Sequence, residues 1–127
     1  MKKILLYIWQ LPQHLIGLSI IAFHKVIRSR IIKTRLAGID YYECKHINDA
    51  GISLGDYIFM DSDRYTSRRD IAHEHGHQIQ SLYLGPLYLI VIGLPSAVGN
   101  LLHRKIKFYY YKQPWEAWAD KLGGVKR

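Results

Sequence analysis

The hydrophobic pattern separates two long, uncharged apolar stretches from a polar middle. Residues 4 to 23 and 82 to 102 contain no Asp, Glu, Lys or Arg. Each has about the 20 residues that a helix needs to cross a bilayer. Proline interrupts both, at "QLPQH" in the first and at "IGLPS" and "GP" in the second, so a kink or reversal is predicted there. The stretches predict membrane-associated helices or re-entrant hairpins, or else two buried helices of a soluble core.

Between the apolar stretches the pattern changes twice. "HKVIRSRIIKTRL", residues 24 to 36, spaces Ile27, Ile31 and Leu36 among five basic residues. This spacing predicts a basic amphipathic helix, either lying on a membrane surface or with a solvated face. "YYECKHI" and "YIFM", separated by turn residues, are rich in aromatic and β-branched side chains, which predicts short strands of a small antiparallel sheet or hairpin.

The next element has a clear start and stop. "SRRD", residues 67 to 70, resembles a capping box with Asp70 in place of the usual Glu, and Gly85 and Pro86 follow Leu84. A helix is therefore predicted from just ahead of Ile71 to about Leu84. The fold class is α+β, mostly helical. The single domain of residues 1–127 has a membrane-associating segment and basic arm at 1–36, then strands, a central helix, an apolar hairpin and a last helix at 37–127.

Charge favours a lipid partner. Eighteen Lys and Arg against ten Asp and Glu give a net charge of +8. The basic residues flank the apolar stretches, which suits anionic membrane lipid better than a nucleic-acid groove, so no specific nucleic acid is expected. Lys2 and Lys3 begin a signal-like segment, but no small-residue cleavage site follows and we expect it to be retained. Basic residues at both ends of 82–102 predict a membrane-associated protein whose working face is cytoplasmic.

The candidate chemistry lies in "HEHGH". On a helix His73 and His77 share one face, and Glu74 lies about 100° round from His73. In this HExxH arrangement two neutral imidazoles bind zinc, and the carboxylate takes a proton from the water that zinc activates. His75 points away and is expected to be structural or solvent-facing, whereas Gly76 would let another element approach closely. Since Cys44 is the only cysteine, His and carboxylate must hold any metal.

A third ligand is expected from "PWEAWAD". Glu116 would complete a His, His, Glu set, and Asp120, one turn later, would accept the outer N–H of a ligand histidine, with His73 as the expected partner. Ordinary acids at a helix start after Pro114 are the alternative. Because a straight crossing by 82–102 would separate His77 from Glu116, sharing a metal requires a hairpin. Other candidate ligands or transition-state donors are His46, His103, Tyr109, Tyr110 and Tyr111.

HExxH followed by ExxxD resembles the gluzincin pattern of zinc metallopeptidases, shared by thermolysin-like enzymes and by integral-membrane peptidases related to the CAAX prenyl endopeptidase. "HEHGHQIQSLYLGPLYLIVIGLPS" and "PWEAWAD" also resemble small bacterial membrane-associated proteins with HExGHxxQS, GPLYL and PWExxAD blocks. The resemblance covers roughly residues 52 to 124. It implies the following roles: zinc at His73, His77 and Glu116, Glu74 as catalytic base, and Asp120 bonded to a ligand.

The expected function is a membrane-associated zinc metallopeptidase that cleaves a peptide or protein substrate. The "YIFM" strand could offer an edge to which an extended peptide adds. The chain is much shorter than a full gluzincin catalytic domain, which leaves room for a partner protein or an oligomer to complete the substrate cleft. The alternatives are a non-catalytic, zinc-stabilised membrane adaptor and a basic lipid- or nucleic-acid-binding protein without metal.

Overall fold

A computed structural model describes residues 2–45, 51–106 and 113–126, without the side chains of Asn100 and of residues 103–106. Helices dominate and the strands form one small sheet, so the α+β class is confirmed. The elements in chain order are α1 (Lys2–Trp9), α2 (Leu11–Val26), β1 (Ile31–Leu36), β2 (Ile39–Cys44), β3 (Gly51–Leu54), β4 (Tyr57–Asp61), α3 (Arg68–Leu84), a 3-10 turn (Gly85–Leu87), a π-helical turn (Leu89–Gly93), α4 (Leu94–Ile106) and α5 (Pro114–Gly123).

The sheet is mixed, whereas a purely antiparallel one was predicted. Its strand order is β1-β2-β4-β3. β1 pairs antiparallel with β2 and β3 pairs antiparallel with β4, while β2 and β4 run parallel with Tyr42 opposite Phe59. The two hairpins lie side by side, and their second strands, β2 and β4, form the central pair of the sheet. Consequently "YIFM" lies inside the sheet, and β3 forms an edge beside α3.

The predicted amphipathic helix over residues 24–36 is wrong. Helix α2 ends at Val26, and Ile31–Leu36 is strand β1. Ala37 and Gly38 have φ angles of 53° and 80° and form a two-residue turn that pairs Leu36 with Ile39. Two central residues with positive φ match the twist of a β-hairpin. The turn and the β-branched run before it outweigh the helix-like spacing of the apolar positions.

The predicted break in the first apolar stretch is confirmed. Helices α1 and α2 meet at an angle of 81° around Gln10. His14 stabilises the bend, because its Nδ1 donates to the Tyr7 carbonyl at 2.9 Å and its Nε2 accepts from the Asp56 N–H at 3.0 Å. A neutral imidazole satisfies both bonds, so this buried histidine joins the helix bend to the turn between β3 and β4.

The second apolar stretch reverses just after "GP", around Tyr88, and not at "IGLPS". Gly85, with φ 55°, ends α3, and the chain turns by 119° between Arg68–Leu87 and Leu89–Gly99. "IGLPS" stays helical, because the π-helical turn ahead of Pro95 accommodates the missing proline N–H. In the described ranges no single helix is long and apolar enough to cross a membrane. Two sharply bent helix pairs, α1 with α2 and Arg68–Leu87 with Leu89–Gly99, pass that test together.

The helical layer buries several polar side chains and exposes many apolar ones, which is the reverse of the usual arrangement. The sheet packs an apolar core that includes Phe59, Ile58 and Ile71, each fully buried. Among the helices, however, Gln10 and Gln13 are buried, and Ser81 joins them by donating to Gln10 Oε1 at 2.6 Å and accepting from Gln13 Nε2 at 2.9 Å. Many large apolar side chains of these helices point outward instead. This apolar face includes Ile4, Leu5, Ile8, Leu15, Phe23, Val26, Leu87, Ile90, Leu94, Val98 and Leu101.

Candidate metal centre

Helix α3 carries the first half of the site. The Ser67 side chain accepts from the Asp70 N–H at 3.1 Å, and the Asp70 carboxylate accepts from the Ser67 N–H at 2.9 Å, so the predicted capping box is confirmed. The helix then runs from Arg68 to Leu84 and places His73 and His77 on one buried face, with ring centroids 4.7 Å apart. One turn of regular helix is what brings the two imidazoles together.

Helix α5 carries the second half and packs directly on α3. It begins at Pro114, and Glu116 and Asp120, one turn apart, are both buried. The backbones approach closely at two glycines. A Cβ added to Gly76 would lie 2.6 Å from the Ala119 carbonyl carbon, and one added to Gly123 would lie 2.8 Å from that of Ala72. The expectation that Gly76 admits a neighbouring element is confirmed, and that neighbour is α5.

Three ligand atoms converge between these helices. His73, His77 and Glu116 each offer one atom, and these atoms lie within 4.8 Å of one another. Glu116 Oε2 is 2.9 Å from His73 Nε2 and 3.0 Å from His77 Nε2. All three residues are buried. The group could bind a metal ion, and two imidazoles with one carboxylate are the donor set of a zinc site that keeps an open position.

The Nδ1 atoms of His73 and His77, which are not the ones facing Glu116, already form hydrogen bonds. His73 Nδ1 lies 2.6 Å from Asp120 Oδ1, the bond expected from the sequence, and His77 Nδ1 lies 2.6 Å from Gln80 Oε1. Gln80 must accept there, because its amide Nε2 donates to the Trp115 carbonyl at 2.9 Å. Each Nδ1 is therefore the protonated nitrogen, so each neutral ring turns an Nε2 lone pair towards Glu116 Oε2. Lone pairs that face one another repel unless a proton or a cation lies between them.

The pKa shifts of His73, His77 and Glu116 also show that this group favours a positive charge. Burial lowers the pKa of His73, but the hydrogen bond to Glu116 and the nearby Glu74 and Asp120 raise it to about 9. Burial likewise lowers the pKa of His77, yet contact with Glu116 leaves it raised. Burial raises the pKa of Glu116, but its bonds to both histidines hold it well below the usual range. Without a metal the pocket attracts protons, and a divalent cation would replace them.

Glu74 lies beside the three ligand residues and next to the sheet. Its carboxyl is buried, and burial is the main cause of its raised pKa, against the lowering effect of His77 and His73. A Cβ added to Gly51, the first residue of β3, would lie 2.9 Å from the Glu74 carboxyl carbon. Glycine at this position therefore leaves the space that the carboxyl group occupies. The geometry puts Glu74 between the histidine pair and a sheet edge.

Several site residues were not assigned from the sequence. Gln80 orients His77, Ser96 donates to Glu116 Oε1, and Tyr88 donates to the Ser53 carbonyl at 3.1 Å. Burial raises the pKa of Tyr88 well above its usual value, and Glu74 and Glu116 raise it further. Gln80 and Tyr88 do lie in the HExGHxxQS and GPLYL blocks. The signal was present there, but only the fold shows what these side chains contact.

The remaining candidates lie away from the centre or outside the description. His75 is half-buried and bonds Gln78 Oε1 at 2.9 Å, on the opposite side of α3 from the ligand pair, as expected. His103 belongs to α4, but its side chain is not described. His46, Tyr109, Tyr110 and Tyr111 lie outside the described residues.

Comparison of the chain with protein-family models, with curated proteins and with solved structures gives no significant match.

Proposed function

We propose that the protein is a zinc metallopeptidase of gluzincin type that works at a membrane surface. The observation that carries the proposal is the convergence of two Nε2 lone pairs with the Glu116 carboxylate, in imidazoles whose outer N–H groups are held by Asp120 and Gln80. Histidines with fixed outer hydrogen bonds and a buried acidic partner are a typical arrangement for zinc ligands. The neighbouring Glu74 adds the base that a hydrolase needs.

The residues of the site have the following proposed roles in peptide hydrolysis. His73, His77 and Glu116 would hold zinc, which supplies Lewis-acid activation of a water molecule and of the scissile carbonyl. Glu74 takes one proton from the attacking water and delivers it to the leaving amine. Oxygen bonds to the carbonyl carbon, the C–N bond breaks, and the products are a carboxylic acid and an amine. Ser96 orients Glu116 through the oxygen that does not face the histidines.

Strand β3 is the edge that best suits an extended peptide. The "YIFM" strand that was expected to do this is β4, which pairs on both sides. β3 pairs only with β4 in the described part of the sheet, and Gly51 lies against Glu74. A peptide that adds to this edge would pass beside the carboxyl group that acts as base.

Membrane association rests on the inverted burial of the helices. The apolar face exposes side chains such as Ile90, 67% exposed, and Leu5, 61% exposed, while Gln10 and Gln13 on the same helical layer are buried. An apolar surface of this extent is a candidate for contact with lipid. The net charge of +8 adds attraction to anionic lipid.

The first test is metal content. We expect about one zinc per chain in the purified wild type, by the one-site stoichiometry of three protein ligands. The metal should be lost in His77→Ala and Glu116→Ala and kept in His75→Ala, whose ring lies on the other side of α3. If the wild type is well folded and binds no zinc, the enzyme proposal is wrong.

The second test separates catalysis from metal binding. Glu74→Gln should keep zinc and lose peptide hydrolysis by a factor of 10² or more, since a general base contributes about 10²–10⁴-fold. Full activity in this variant would exclude Glu74 as the base.

A structural role for the metal is the second candidate function, favoured by the depth of the site. His73, His77 and Glu116 are at most 5% exposed, as in metal sites that only stabilise a fold. Cobalt substitution distinguishes the two, because an exchangeable fourth position gives a spectrum that responds to small anions. A spectrum indifferent to anions would support the adaptor.

A further inference from the structure

Helix α2 ends in a conformation that is unusual for an arginine. The Arg28 N–H bonds the Lys25 carbonyl at 3.2 Å, and the Ser29 N–H bonds the His24 carbonyl at 2.8 Å. These two bonds define a Schellman C-cap, in which the residue after the cap adopts a left-handed conformation and is usually glycine. Arg28 has φ 56° and occupies that position.

Helix α5 ends with the same motif and the expected residue. The Gly124 N–H bonds the Lys121 carbonyl, the Val125 N–H bonds the Asp120 carbonyl, and Gly124 has φ 75°. The chain thus uses glycine at one of these two caps and arginine at the other. A strained backbone position is a reason to ask what its side chain does.

The Arg28 side chain lines an open pocket of about 530 Å³ with charges of both signs. Arg28, Arg30 and Lys45 supply three cations, and Glu43 and Asp63 supply two carboxylates. Among the described residues none of these five side chains forms an ion pair within 4.0 Å. Although Glu43 accepts a hydrogen bond from the Tyr41 hydroxyl at 3.4 Å, charges of opposite sign without ion-pair partners around one cavity fit a ligand that carries both a phosphate and an ammonium group.

The pocket adjoins the apolar face. Ile27, 44% exposed, lines the pocket, and Val26 and Phe23 on the preceding turn are 81% and 53% exposed. A charged pocket beside exposed apolar side chains matches the boundary between lipid head groups and acyl chains.

We propose that this pocket binds the head group of a phospholipid that carries a primary ammonium, of the phosphoethanolamine type. Arg28, Arg30 and Lys45 hold the phosphate, and Glu43 and Asp63 accept hydrogen bonds from the ammonium. A quaternary choline head group has no N–H to donate, so the carboxylates distinguish the two lipids. The inference rests on the proposed membrane association and not on the metal site.

Arg28→Gly is the decisive variant, because it should move stability and lipid binding in opposite directions. Glycine relieves the left-handed strain, so the Tm should rise by about 4 °C. Binding to phosphatidylcholine vesicles that contain phosphatidylethanolamine should weaken about tenfold in co-sedimentation, the usual effect of losing a charged hydrogen bond. Ala37→Gly relieves the same strain in the β1–β2 turn, with φ 53°, and should leave binding unchanged.

Wild-type protein should prefer vesicles containing phosphatidylethanolamine over pure phosphatidylcholine, and the Glu43→Gln, Asp63→Asn double variant should lose that preference. Equal binding to both vesicles by wild type, or unchanged binding by Arg28→Gly, would each overturn the pocket. Soluble glycerophosphoethanolamine that displaces the protein from vesicles at equal concentration would show a site for a free metabolite, and would overturn the lipid assignment.

The zinc content of Arg28→Gly should equal that of wild type, since no pocket residue contacts the metal group in the described structure. If wild type bound no vesicle at all, both the proposed membrane association and the proposed lipid site would be wrong. If wild type bound vesicles but did not prefer phosphatidylethanolamine, only the proposed lipid site would be wrong, and the proposed function would be unaffected.

Discussion

The close approach of α3 and α5 sets the geometry of the metal group, and Gly76→Ala tests this. The added methyl carbon would lie 2.6 Å from the Ala119 carbonyl carbon. Non-bonded carbons prefer about 3.5–4.0 Å, so the helices must move apart by about 1 Å. Glu116 and Asp120 move with α5, whereas His73 and His77 stay on α3. Metal–ligand distances tolerate shifts of only about 0.2 Å.

We therefore expect Gly76→Ala to fold but to lose most of its zinc. The overpacking should cost about 1–3 kcal/mol, which equals or exceeds the helix propensity of about 1 kcal/mol that alanine gains over glycine. The assay combines elemental analysis, chelator competition and thermal unfolding of the zinc-free protein. Gly93→Ala is the matched control, because its added Cβ meets nothing closer than 3.6 Å. If Gly76→Ala binds zinc as tightly as wild type, the helix contact does not set the ligand geometry.

Three further predictions follow from particular contacts. Asp120→Asn should weaken zinc binding about 10–100-fold in chelator competition through the loss of its carboxylate bond to His73 Nδ1, whereas Asp40→Asn, at an exposed position, should not. Gln80→Leu should weaken it similarly, because His77 then lacks the acceptor that keeps its proton on Nδ1; unchanged affinity would show that this bond does not set the tautomer. Burial, and then the charge of Asp61, raise the pKa of the Cys44 thiol to about 11, so maleimide should label it slowly at pH 8 in the folded protein and quickly in denaturant. Since this folded pKa lies above the unfolded one, the contribution to stability is full below the ordinary thiol range and is lost as the pH rises towards 11; equal labelling rates in both states would contradict the burial of Cys44.

Local signals predicted the central helix well and the sheet poorly. The cap at Ser67, the stop at Gly85 and the spacing of His73 and His77 are properties of neighbouring residues, and the structure has the first two where the sequence put them. Strand β1 was missed because Ile27, Ile31 and Leu36 mimic a helical spacing. The turn at Ala37 and Gly38 carries only one glycine as a signal. The parallel pairing of β2 with β4 joins residues far apart in the chain, which periodicity cannot show.

The site shows the same division between local and distant information. The bond between Asp120 and His73 followed from helical spacing plus the chemistry of histidine ligands. The contacts of Ser96 and Tyr88 depend on where the 119° reversal falls, and the sequence offered two proline-marked places for it. An error of one turn in that reversal changes which α4 side chain lies against Glu116.

The split of the site between α3 and α5 also has a consequence for how the molecule is made. Glu116 and Asp120 leave the ribosome after every other described element, so a nascent chain presents His73, Glu74 and His77 well before the carboxylates that complete the set. Two histidines alone hold zinc weakly. The three-residue group could therefore bind a metal ion only once synthesis has passed α5, and the proposed hydrolytic activity would be absent until then.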